Sequence, residues 1–197
     1  MKNNDETLKA VEGANSTISQ GIGHSESANA QGIYTVTCND KNGNLKWTDI
    51  IHNLVTTEGK NDALDKYIVG SAYTATWFMG LISSVAYTAI AAADTAAQIN
   101  GTNTWKEANT ASNFPLYSGG VRPTPAWSAA AAGTKTTSAA VAFTIVTTGG
   151  TVKGCFLASS SGLGAITGKL YSAGLFTGGD KVVAVSDVLN VTYSTSL

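Results

Sequence analysis

Residues 159–170, "SSSGLGAITGKL", hold the residue types of a phosphate cradle: glycines that let backbone N–H groups approach an anion, and Lys169 to reach its oxygens. The spacing does not fit. A P-loop needs four residues between its first glycine and the Gly-Lys pair, whereas Gly164 leaves three before Gly168 and Gly162 leaves five. Leu170 stands where a Ser or Thr would bind magnesium, and the following "LYSAGLF" reads as a strand and turn, with no helix N-terminus to hold phosphate. The dinucleotide fingerprint G-x-G-x-x-G fails as well. No nucleotide cofactor is expected.

Hydrolytic chemistry has equally thin support. His52 has Asp49 and Asp62 nearby in sequence as candidate orienting carboxylates, but no serine or cysteine sits in a nucleophile elbow. A hydrogen-bonding structural role for His52 is the expectation. Between Asp94 and Asp180 the only acidic residue is Glu107, a poor supply for paired-carboxylate or general acid–base catalysis. Cys38 and Cys155 lie far apart within strand-like segments, and neither neighbours His24 or His52, so buried free thiols are expected and zinc is not. The expectation is a non-enzyme with no catalytic, cofactor-binding or metal-binding residue.

Trp47, Trp77, Trp105 and Trp127 offer binding chemistry, because aromatic faces stack on sugars and anchor protein interfaces. Trp77 lies in the most apolar stretch and reads as core. Trp105 and Trp127 lie in a long irregular segment and are the candidates for partner binding; the competing reading is that they pin that segment to its own domain.

The elements that must position these residues follow from pattern. The chain has 197 residues, 43% hydrophobic and only 13% charged, enough for one domain with a core or one domain plus an arm. With 12 basic against 13 acidic residues there is no excess charge to neutralise phosphates, so neither nucleic acid nor an anionic membrane is an expected partner. The uncharged run "AYTATWFMGLISSVAYTAIAAAD" at 72–94 raises a membrane reading, but Ser and Thr interrupt it throughout. Only Trp77–Ile82 is densely apolar, and six residues suit a strand. "MKNNDETLKAVEG" has no apolar h-region, so the expectation is a protein made and assembled in a cytoplasm.

Residues 1–31 are poor in large apolar side chains and aperiodic, and read as an N-terminal arm. Two readings stand: a disordered tail, or a strap that orders on a neighbouring subunit through its isolated anchors Leu8, Val11, Ile18 and Ile22. Residues 32–197 read as the folded domain. Alternation about "NDKNGN", with Asn42–Gly43 at the turn, predicts a β-hairpin. Thr56 or Thr57 is placed to cap a short helix centred on Asn61–Val69, with Ala63, Leu64, Tyr67 and Ile68 on one face and Gly70 ending it. Residues 94–137, with all three prolines, read as loop with a short helix near Thr95–Ile99. Alternation returns at Val141–Ile145, Val152–Leu157, Val182–Val185 and Leu189–Tyr193. Many short strands with one helix predict a mainly β fold, a β-sandwich or jelly-roll with an extended arm.

The blocks "GNLKWTDIIHNLVTTEGKNDALDKYIVGSAYTATWFMGLIS", "RPTPAW" and "GKLYSAGLFTGGDKVVAVSDVLNVTY" together resemble a group of small virion structural proteins of tailed bacteriophages. The resemblance covers Ile33–Leu197 and leaves the arm outside. It implies a virion component made in the bacterial host cytoplasm, most like a jelly-roll capsid decoration or cement protein on the capsid exterior. Its partners would be the major capsid protein and copies of itself. Related sequences are often known only as structural or tail-associated, and the alternative is a tail or fibre module that binds host carbohydrate through loop aromatics. The resemblance implies no catalytic residue and no cofactor.

Overall fold

The computed structural model describes residues 30–68, 70, 76–101, 105–109 and 114–196. Leu8, Val11, Ile18 and Ile22 lie outside the described residues. Nine strands form a single sheet: β1 (Gln31–Asn39), β2 (Leu45–Val55), β3 (Phe78–Ser83), β4 (Thr134–Thr136), β5 (Val141–Thr144), β6 (Gly150–Ala158), β7 (Leu170–Leu175), β8 (Lys181–Val183) and β9 (Val188–Ser196). Among the described residues one α-helix, α1 (Thr57–Ile68), follows β2, and a 3-10 turn spans Ala96–Gln98. The strand order is β3-β6-β7-β2-β1-β9-β4, with β5 also on β9 and β8 also on β6, and every pairing is antiparallel.

The β1–β2 hairpin forms as its turn chemistry dictates. Asp40 Oδ1 accepts from the backbone N–H groups of Asn42 (2.8 Å) and Asn44 (2.9 Å), and Gly43 takes φ +84°, where a side chain would be strained. β1 alternates strictly, burying Tyr34, Val36 and Cys38, and β9 does the same with Leu189, Val191 and Tyr193. These residues share one core with Met79 and Leu81 of β3 and with Val152, Cys155 and Leu157 of β6. Strands from both ends of the sheet order therefore face the same interior, which requires the sheet to curl around it.

The opposite face of β3, β6 and β7 is covered by a second cluster. Phe156, Ala158, Leu170 and Ala173 meet Ile82, Ala96, Ile99 and Trp105, so these strands are buried on both sides. That explains the unbroken apolar run Met79–Ile82: strand Phe78–Ser83 is a two-sided core strand, and no helix among the described residues is long and apolar enough to cross a membrane.

α1 begins where the cap predicts, with Gly59 N–H donating to Thr56 Oγ1 (3.0 Å), but it docks differently from its apolar pattern. Its buried residues are Gly59 and Asp62, while Leu64, Tyr67 and Ile68 are 58%, 86% and 69% exposed. The first turn makes the attachment. Glu58 Oε2 accepts from the backbone of Leu170 (2.7 Å) and Ala96 (3.1 Å), and Gly59 lies so close to β7 that an added Cβ would come within 2.5 Å of the Tyr171 carbonyl oxygen. Polar contacts to the β7 backbone hold the helix by one end and leave its apolar stripe uncovered by the described residues.

Among its described residues, the expected loop 94–137 contains one strand that pattern did not indicate, β4, and a 3-10 turn, and is irregular elsewhere. The short helix near Thr95–Ile99 is the 3-10 turn, capped by Thr95 with Gln98.

Candidate functional site

The glycine stretch does hold an anion, an internal one. Gly164 N–H donates to Glu107 Oε2 (2.8 Å), and Arg122 clamps the same carboxylate through Nε (2.7 Å) and Nη2 (2.8 Å). Arg122 also donates to the carbonyls of Ser160 (2.8 Å) and Ala165 (3.1 Å). The Gly164 backbone N–H approaches a carboxylate as it would a phosphate, but this carboxylate is Glu107, itself fully buried and already paired with the fully buried Arg122.

His52 points outward from β2 and its candidate orienting groups are engaged elsewhere. Asp49 bonds Lys181 Nζ (2.7 Å), Thr177 Oγ1 (2.8 Å) and the Ile50 N–H (2.7 Å), while Asp62 lies 3.4 Å from Lys66 Nζ. Cys38 and Cys155 are both buried and free. Among the described residues no group of three or more His, Cys, Asp and Glu side chains is placed to hold a metal ion.

The two candidate tryptophans part company. Trp105 is fully buried: its Nε1 donates to Asp94 Oδ2 (3.0 Å) and its ring packs 5.3 Å from that of Phe156. This corrects the partner-binding expectation for Trp105, because its face is closed against the domain's own second cluster and the loop is pinned by it. Trp127 is half-buried and lines an open cavity of about 480 Å³ with Trp77, Leu157, Tyr171 and Tyr193, bordered by Thr134, Lys135 and Thr195. Trp77 is likewise half-buried at the entry to β3, so it is a wall of this cavity and not the interior residue its apolar neighbours suggest.

The cavity is the mouth of the curled sheet. Trp127 is set opposite Thr137 by a backbone bridge, with Ser128 N–H donating to the Thr136 carbonyl of β4 (2.9 Å). Its ring meets Tyr193 edge-on at 6.2 Å, and Trp77 tilts against Tyr171 at 5.3 Å. Tyr193 in turn stacks on Tyr34 at 4.3 Å, joining the mouth to the core. Burial pushes the Tyr193 hydroxyl up to about 12 and moves Tyr34 in the same direction, so both stay protonated at neutral pH and act as hydrogen-bonding groups, not bases.

Tyr171 also lines a second cavity of about 250 Å³ with Ala30, Val55, Gly59, Ala63, Leu64 and Tyr67. Tyr171 thus borders both hollows, whose linings together make an apolar track from Trp127 to the exposed stripe of α1. Such a surface binds by burying apolar area.

No protein-family model matches the chain, and no curated protein sequence matches it. Sequence pattern missed Trp77, Tyr171 and Tyr193 as site residues. Each sits in a strand or at its edge, where an aromatic is ordinary, and only the curl brings the three to one opening.

Proposed function

We propose that the protein is a capsid decoration, or cement, protein of a tailed bacteriophage, a sandwich of jelly-roll type bound to the outside of the head shell. The observation that carries this reading is the apolar track at one end of the sheet, from Trp127 across Tyr171 to Leu64 and Tyr67, on a chain whose formal net charge is only −1. Apolar patches of this kind mark interaction sites. The assembly in this reading comes from the resemblance of the sequence blocks within residues 33–197 to phage virion proteins. A shell protein repeats one contact at every symmetric seam, so weak contacts sum through multivalency, and a nearly uncharged Ser/Thr/Ala-rich surface keeps desolvation costs low. The curl of the sheet around one core is the packing from which a jelly-roll is built, and supports that finer assignment.

Copy number in purified virions, by quantitative mass spectrometry against the major capsid protein, tests the reading. Hundreds of copies per particle support a shell protein. A handful would place the protein at the tail and sink the cement assignment. Glycan-array binding abolished by Trp127→Ala would favour a carbohydrate-binding tail module.

A further inference from the structure

We infer that the N-terminal segment of the same chain docks in the mouth of the sheet, with Ile18 and Ile22 as the side chains that enter its two cavities. The inference does not rest on the capsid reading: the segment covers the track in the free protein, and a shell contact at the same track would have to displace it.

The described chain starts inside the groove. Ala30 lines the smaller cavity beside Leu64 and Tyr67, and the next residue, Gln31, is tied to the far rim by Thr195 Oγ1, which donates to its carbonyl (2.9 Å). Thr195 also lines the larger cavity. The 29 residues before Ala30 therefore join the domain at the lining of the smaller cavity, one residue from a contact with the rim of the larger, and any path they take begins on this track.

Length and chemistry suit that occupant. Eight residues separate Ile22 from Ala30, a reach of up to about 26 Å at roughly 3.3 Å per residue, enough to fold back over either cavity. A dry cavity of about 150 Å³ accepts benzene. The hollows here, about 480 and 250 Å³, have room for branched aliphatic side chains. Residues 13–29 contain Glu26 and no Lys or Arg, while Lys60 and Lys135 border the two hollows, so the charges are complementary. A tethered segment acts at an effective concentration of order millimolar, which favours it over a free partner of equal contact energy. Rooted at Ile18, the segment still leaves Leu8 a further reach of about 33 Å and Val11 about 23 Å toward a neighbour.

The test uses the full chain. In an Ile18→Asp/Ile22→Asp variant, tryptophan emission should shift to the red and acrylamide quenching should rise, because Trp77 and Trp127 lose their cover. Separately, an Ile22→Cys/Tyr67→Cys variant treated with a short bis-maleimide should cross-link within one chain, at monomer mass and at a rate independent of protein concentration. Covalent dimers as the main product would assign the groove to a second copy and overturn the inference. Unchanged emission and quenching, together with no cross-link, would overturn it as well.

Discussion

Arg122 and Glu107 form a two-pronged ion pair in the interior, Nε to Oε1 at 2.7 Å and Nη2 to Oε2 at 2.8 Å, with both side chains fully buried. The guanidinium lies 5.1 Å from the centre of the Phe156 ring, beside the second cluster. The pair joins the irregular segment after β3 to the glycine stretch before β7, two lengths of chain with little regular pairing of their own. Backbone groups of residues 160–165 add to the pair: Arg122 donates to the Ser160 and Ala165 carbonyls, and Gly164 N–H donates to Glu107.

Truncating one member leaves the other charged, buried and unpaired. Glu107→Ala and Arg122→Ala should each lower stability by about 3–5 kcal/mol, read from urea unfolding with the slope checked for constancy. A loss below about 1 kcal/mol, the range of an exposed pair, would show that the interior placement is wrong.

The tryptophans at 105 and 127 should separate in the same assay. Trp105→Ala removes a fully buried ring and the donor to Asp94, and should cost about 3–5 kcal/mol. Trp127→Ala, at a half-buried wall, should cost clearly less while increasing solvent access to the mouth. Equal losses would contradict the division between a pinning and a lining residue.

Asp49 predicts an acid-side loss of stability. Burial pushes its carboxyl up, but the Lys181 ammonium at 2.7 Å, Thr177 Oγ1 and the Ile50 N–H outweigh that, and the net shift is downward. A carboxylate depressed in the folded state contributes stability above its unfolded value of about 3.9, and that contribution disappears as pH falls through the folded value. Stability measured from pH 6 downward should therefore decline below about pH 4, and Asp49→Asn should flatten that part of the profile. A variant with the same acid limb as the parent would rule out this source.

The thiols should be silent in the folded protein. Burial, with a smaller effect from Asp187, pushes Cys38 up to about 11, and burial alone pushes Cys155 up further. Since the thiolate is the reactive form, iodoacetamide at pH 8 should label neither residue in buffer and both in denaturant. The proposal fails if either cysteine is labelled at the rate of a free thiol under native conditions.

Where structure is decided by neighbours in sequence, it was legible beforehand. The turn at Asn42–Gly43, the helix cap at Thr56, one of the two threonines the pattern offered, and the alternating strands of β1, β5 and β9 each depend on backbone preferences and side-chain hydrogen bonds spanning a few residues, and each formed within the segment the pattern indicated. β4 was not legible, because Thr134–Thr136 has no apolar alternation and exists as a strand only by pairing with Thr195 and its neighbours in β9.

Burial followed another logic. Trp105 and Trp127 are the same residue type in the same long segment, yet one closes the second cluster and the other opens onto solvent. The apolar stripe of α1 reads as a core face, yet the helix is attached through Glu58 and Gly59, whose partners in β7 lie more than 110 residues away in sequence. Gly164 finds its anion 57 residues back along the chain. The sequence by itself determined the hairpin turn, the helix start, the alternating strands and a nearly neutral net charge, because propensity and charge are local or additive. Only the tertiary structure decided which aromatics form the mouth and which charges are sealed inside, because side-chain exposure depends on what the curl of the sheet brings against each face.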